Sequence, residues 1–309
     1  MKRYDPESKG TKASRTINLG VPSVNVRIDE CIYCGAGNVP LSKEHTIPYG
    51  LWGRNVLEKA SCEKCSEATS RFETHVLKET LGRAREVLDA PTRHAKKRAE
   101  RTGRIIIEDD AGNKMDVPLH IMPQFILLPG FDHLPRAICG NMKARKHKTF
   151  SAFVAAITNR QDPIVSGRRS NIGNINSKPW ARFIAKTVYG EYIRQHNSEF
   201  RAGKRLRNFI TRGFGDETWF VGGRLSPPSV NALYKIAFSA LARRDGSHAL
   251  VGYLRLFALF ETPSYLVYLG EIPADDELPP NLERNGKWTP NTLWPNYAQD
   301  EIIEPRPLT

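Results

Sequence analysis

Two pairs of cysteines restrict this chain more than anything else in it. Cys31 and Cys34 form one CxxC pair, Cys62 and Cys65 a second, with 27 residues between them. Each spacing lets two thiolates reach one ion across a tight turn. Two such turns supply the four tetrahedral ligands that Zn²⁺ prefers. The small residues Gly35, Ala36 and Gly37 after Cys34 suit a backbone that wraps a metal. A set of four thiolates leaves no open position, so the expected role of this Zn²⁺ is structural, contributing folding energy to a segment with little core of its own. The other reading is four reduced, unliganded thiols. Cys139 stands apart, and a buried core thiol is its expected role.

The setting favours metal over disulfide. No apolar run approaches the roughly 18 residues of a membrane span. The N-terminal "MKRYDPESKGTKASR" lacks the apolar region of a secretory signal. A cytoplasmic protein with reduced thiols is the expectation.

Charge is unevenly spread. The net charge is +13. Residues 91–212 hold 24 Lys/Arg and 9 Asp/Glu, a net of +15, whereas residues 275–309 hold 3 and 7, a net of −4. A basic centre of this kind suits a polyanion bound through its phosphates, and a nucleic acid, DNA in the first instance, is the expected partner. Arg93, Lys96, Lys97, Arg98, Lys143, Arg145, Lys146 and Lys148 are the candidate contacts, with Arg168 and Arg169 beside Gly167 in a similar role. The competing explanation is a solvated basic surface kept for solubility. Nothing selects a protein partner.

The chain reads as α+β. Residues 1–28 form a basic N-terminal arm, expected to be flexible over its first 20 residues. Val24–Ile28 suits a short strand. Phe72, Val76, Leu77, Leu81, Ala84 and Leu88 recur near helical spacing, and Asp89-Ala90-Pro91 stops that helix. Residues 92–104 form a basic segment. Residues 104–121 read as a hairpin turning at Ala111-Gly112-Asn113, and "QFILLPG" as a buried strand. "SAFVAAIT" is strand or helix. "KPWARFIAKTVYGEYIRQ" predicts an amphipathic helix with Trp180, Phe183, Ile184, Val188, Tyr192 and Ile193 on one face. Residues 249–272 read as two strands joined around Thr262-Pro263-Ser264. The expected division is an arm (1–28), a zinc module (29–90), a basic α+β domain (91–272) and an extended Pro-rich tail (273–309) with Trp288 and Trp294 packing back.

Between the cysteine pairs lies "LSKEHTIPYGLWG", and "KASCEKCSEATSRFE" follows. On Cys31, Cys34, Glu44, His45, Ile47, Pro48, Gly53, Cys62 and Cys65, the chain resembles the HNH endonuclease family, in the branch whose ββα-metal fold is clamped by a four-cysteine zinc. The resemblance covers residues 29–90. It implies a metal-dependent endonuclease, with His45 as general base towards the water that attacks phosphorus. It implies Glu44 as ligand of a catalytic divalent cation, Mg²⁺ or Mn²⁺. Asn55 is available for the family's middle Asn, at an offset differing by a residue or two. Ser66 stands where a His or Asn metal ligand is usual. Glu67, Glu73 and His75 are the other candidates, and Glu73, in a Phe-Glu pair, is the preferred second acid. His75 reads as a solvent-facing histidine. The alternative is a non-catalytic zinc protein that binds nucleic acid through a degenerate site, and Ser66 motivates it.

Overall fold

The computed structural model describes residues 2–3, 25–93, 104–118, 124–131, 133–139, 150–158, 169–170, 176–196, 203–223, 232–243, 246–260 and 262–276. They build a mixed α+β structure of small sheets and helices.

Residues 25–93 form a compact sequence of elements. Strand β2 (Asn25–Arg27) pairs in parallel with β4 (Val56–Cys62), and β3 (Leu41–His45) pairs antiparallel with the other edge of β4. Helix α1 (Glu63–His75) starts at the next residue, with Cys62 as its extended N-cap. The helical pattern expected up to Asp89 is realised in three pieces. After α1 comes a π-helical turn, Val76–Thr80, and then α2 (Gly82–Val87). Asp89, at φ 52°, ends the run.

The hairpin over residues 104–118 is β5 (Arg104–Glu108) and β6 (Lys114–Pro118). Gly112, at φ 81°, takes the turn, and the Asp109 carboxylate accepts the backbone N–H groups of Ala111 and Asn113. The outer neighbours of this hairpin are β1 (Lys2–Arg3), parallel to β6, and β9 (Arg169–Ser170), antiparallel to β5. Lys2 and Arg3, expected in a flexible arm, are thus part of a sheet. Strands β7 (Gln124–Phe131) and β8 (Phe150–Thr158) pair antiparallel, so "SAFVAAIT" is a strand. A short helix, α3 (Arg136–Cys139), follows β7. Its last residue is Cys139, whose side chain lies outside the described ones.

A further sheet has the order β10-β13-β12-β11, from Val221–Gly222 (β10), Tyr234–Ala242 (β11), His248–Leu256 (β12) and Ser264–Ile272 (β13). The two strands expected around Thr262-Pro263-Ser264 are β12 and β13.

Helix α4 (Ser177–His196) runs through the centre. It differs from the one-faced helix expected from its sequence. From Trp180 to Ile193 every residue but Arg182 is buried, because α1 packs on one side and β12 and β13 on another. The close approach to β12 depends on Gly252, where a Cβ would sit 2.2 Å from Val188 Cγ1. Helix α5 (Lys204–Arg212) crosses α4 and ends at Gly213, at φ 69°. Arg182 of α4 donates to the terminal carbonyls of Ile210 and Thr211 while its guanidinium lies 4.4 Å over the Phe72 ring. Helix α6 (Glu217–Phe220) is capped by Asp216, whose carboxylate accepts the Thr218 N–H.

One hydrophobic core joins the cysteine-bearing segment to β7, to the helices α4, α5 and α6, and to the sheet of β10 to β13. It includes Ile32, Ile47, Leu57 and Phe72 from the cysteine-bearing segment and Trp180, Tyr189, Leu254 and Tyr265 from beyond it. No helix among the described residues is long and apolar enough to cross a membrane.

Candidate functional site

The four cysteines meet as the sequence spacing requires. Their sulfurs all lie within 4.8 Å of one another. The Sγ atoms of Cys34 and Cys62 are 3.7 Å apart. Four thiolates at the usual Zn–S length stand about 3.8 Å apart on the edges of a tetrahedron, so the cluster could hold Zn²⁺. Local structure makes the grouping. The Gly35 N–H donates to the Cys31 carbonyl and the Cys31 N–H to the Ala36 carbonyl, which folds the first pair into a tight turn. Gly35 sits at φ 80°. The second pair straddles a strand-to-helix junction, Cys62 ending β4 and Cys65 in the first turn of α1. Burial pushes the Cys31 and Cys65 thiols up, so a bound cation is what would make them thiolates.

At the far end of β3 stand Glu44 and His45. The β3–β4 ladder is irregular between Ser42 and Glu44. Ser42 faces Ser61 and Glu44 faces Leu57, so Glu58, Lys59 and Ala60 bulge opposite the single residue Lys43. Lys59 takes φ 48° there. The bulge lets Lys43 pair with Glu58 at the surface, at 2.9 Å, while Glu44 is buried. The loop that follows is pinned from α2. Arg85 donates to the Gly50, Leu77 and Pro91 carbonyls.

Glu44 does not face an empty pocket. Lys186 of α4 reaches it, with Nζ 2.5 Å from Glu44 Oε1 and 2.6 Å from Glu73 Oε1. The same ammonium donates to the His45 carbonyl at 2.8 Å. The Lys186 side chain is 1% exposed and that of Glu44 6%, while Glu73 keeps 17%. Burial alone would push the Lys186 ammonium down. The two carboxylates override it and hold it above the ordinary lysine range. Glu73 goes the other way. Burial, with Glu44 beside it, raises its carboxyl above the usual range despite Lys186. Two carboxylates share one cation here. Tyr33 lies near enough to feel both carboxylates. Its buried hydroxyl has no hydrogen-bond partner among the described residues.

His45 is half-buried, and its Nδ1 is buried without a hydrogen-bond partner among the described residues. Burial first, then the positive charges of Lys186 and Arg93, hold its imidazole below the ordinary histidine range. Asn55 lies beside it in the ladder. The Asn55 carbonyl accepts the Thr46 N–H at 3.3 Å, next to the His45–Val56 pair.

The structure thus brings Glu44, His45 and Glu73 into one neighbourhood, with Asn55 at its edge. Glu67 is elsewhere, exposed and 3.8 Å from Arg71 one turn on. Ser66 accepts the Thr69 hydroxyl through its own carbonyl. His75 is half-buried with Nε2 shielded, contrary to the expected solvent-facing ring, because the π-turn after it continues into the core at Val76. Of the expected phosphate contacts, Arg93 is described and exposed, close enough to act on His45 through its charge. Lys96, Lys97, Arg98, Lys143, Arg145, Lys146, Lys148 and Arg168 lie outside the described residues, as do Trp288 and Trp294.

Sequence reasoning missed Lys186. A signal was present: a lysine between Ala185 and Thr187, inside a helix whose neighbours are apolar. A charge in such a stretch needs a buried counter-ion, and only Glu or Asp can supply one.

No family model, curated protein or solved structure matches this chain.

Proposed function

We propose that residues 25–93 form a zinc-clamped ββα nuclease unit that hydrolyses phosphodiester bonds in nucleic acid, DNA in the first instance. The observation that carries the reading is the β3–β4–α1 succession. It sets Glu44 and His45 at the end of one strand and Glu73 on the following helix, with four thiols gathered at the strand-to-helix junction. That succession is the one the HNH resemblance implies. In this reading the cysteines hold Zn²⁺, which folds the unit and takes no part in the chemistry. His45 takes the proton from the attacking water. A base must be unprotonated to act, and the depressed imidazole is neutral at neutral pH. Arg93 and the basic stretch after it position the phosphate backbone without reading its sequence.

The resemblance also implies a divalent cation on Glu44, with Glu73 as the preferred second acid. Here the Lys186 ammonium stands on both carboxylates. As placed, these residues do not fit such an ion, and no step is assigned to one. That same observation favours a second reading, a non-catalytic nucleic-acid-binding zinc protein with a degenerate site.

Nicking of supercoiled plasmid, with and without Mg²⁺ or Mn²⁺, separates the two. Nicking by wild type that disappears in a folded, zinc-loaded His45→Ala variant is the expected outcome. Equal nicking by both proteins removes His45 as the base. No nicking by either, on DNA or on RNA, leaves the binding reading.

A further inference from the structure

We infer that the resident cation of the Glu44–Glu73 pair is the Lys186 ammonium, and that this pair does not take a divalent metal in the native protein. The inference deepens the nuclease reading, on which its bearing on catalysis rests. Its bearing on ion binding stands without it.

Three features carry it. A lysine ammonium has three N–H donors and no acceptor. Here three acceptors meet it, at 2.5, 2.6 and 2.8 Å: the Glu44 and Glu73 carboxylates and the His45 carbonyl. Every proton is used. Second, the lysine has nowhere to go. Its side chain is 1% exposed, it stands in a stretch of α4 buried on nearly every side, and its immediate neighbours Ala185 and Thr187 are fully buried. A divalent ion binding the same oxygens at about 2.1 Å would meet the ammonium at contact distance. It would have to drive that charge into the core without a partner. Third, with the ammonium in place there is little room for the rest of the shell. Magnesium wants six oxygens in near-octahedral array and fills most of them with water when carboxylates are few, yet the Glu44 and Glu73 side chains are only 6% and 17% exposed. Among the described residues no third His, Cys, Asp or Glu joins Glu44 and Glu73 in a metal-ligand cluster. The nearby Tyr33 hydroxyl is a neutral phenol whose proton is held tightly by burial.

The arrangement also gives Lys186 a positioning task. By tying the His45 carbonyl to Glu44 and Glu73, it fixes the end of β3 against α1 and α4. A metal ion would do this from carboxylates alone, while the ammonium adds a hydrogen bond to the main chain of the base itself.

The test is Mn²⁺ uptake by the zinc-loaded, full-length protein, read from the loss of the free-ion EPR signal. Wild type and Glu73→Gln are the decisive pair, because Glu73→Gln keeps the Lys186–Glu44 ion pair and with it the fold. Equal uptake by the two is expected. One Mn²⁺ bound by wild type and lost in Glu73→Gln would overturn the inference, since Lys186 would then yield its place to metal. Lys186→Met supplies the converse. It is expected to gain one Mn²⁺ site at least about tenfold tighter than any in wild type. A folded, zinc-loaded Lys186→Met that takes up no Mn²⁺ would show that the ammonium is not what excludes the ion. These outcomes are independent of nicking. Mn²⁺ uptake by wild type alongside His45-dependent nicking would overturn this inference and keep the nuclease. Absence of nicking with equal uptake would do the reverse.

Discussion

Gly53 shows how much a single residue can hold in this loop. A Cβ on it would lie 1.8 Å from the Ile47 carbonyl oxygen and 2.5 Å from its carbon, both backbone atoms that cannot swing aside. The loop from Thr46 to Gly53 closes on itself there, with the Gly53 N–H donating to the Pro48 carbonyl. Gly53→Ala is therefore expected to lower stability by about 1–3 kcal/mol, the usual range for overpacking. The opened loop should also displace His45, one residue before it. The midpoint of urea unfolding checks the first effect, and nicking the second. An unchanged midpoint would mean that the loop relaxes freely. The sequence marks Gly53 as part of a motif, but the reason for glycine is a contact six residues away, visible only once the loop is closed.

At the scale of elements, the cysteine cluster joins a strand, a helix and a turn that also share core contacts. Cys62 ends β4, Cys65 lies in the first turn of α1, and Cys31 and Cys34 lie on the turn after β2. Removing Zn²⁺ should release all three at once. Dialysis against a strong chelator is expected to remove one equivalent of zinc and to lower the melting temperature markedly, with recovery on adding Zn²⁺. Cys65→Ala should copy the effect. A melting temperature that does not depend on zinc would assign the cysteines no metal. The helix pattern after Cys65 was legible from its apolar spacing, yet its division by a π-turn was not. The extra residue in that turn, with Leu81 N–H donating to the Val76 carbonyl, shifts the helix face by about one position. That shift is a matter of which side chains the core can accept.

For the whole molecule, α4 is the element that ties the cysteine-bearing segment to the sheet of β10 to β13. It carries Lys186 to the Glu44–Glu73 pair. One turn on, the Tyr189 hydroxyl donates to the Ile32 carbonyl at 2.7 Å, within the turn that carries Cys31 and Cys34. Burial raises the Tyr189 phenol, which keeps it a donor. Tyr189→Phe would leave a buried carbonyl unpaired and should cost about 1–3 kcal/mol. Because one core runs through the cysteine-bearing segment and the sheet of β10 to β13, the variant is expected to unfold in a single transition at lower denaturant. Two separated transitions would instead show that the segment unfolds by itself.

Residue types and their spacings determined much of this protein. The CxxC pairs announced a four-thiol cluster, Ala111-Gly112-Asn113 announced a hairpin, and Thr262-Pro263-Ser264 announced the break between β12 and β13. Each rests on contacts a few residues apart, or on a chemistry so selective that four cysteines can only be meant for one another. What the tertiary structure decided is of another kind. Lys186 lies 113 positions beyond Glu73 in the chain and meets it through a helix buried on nearly every side. No local period encodes that meeting. The lysine is tolerated there because two acids, drawn from a strand and a helix far away in sequence, arrive at the same point with their charges unspent.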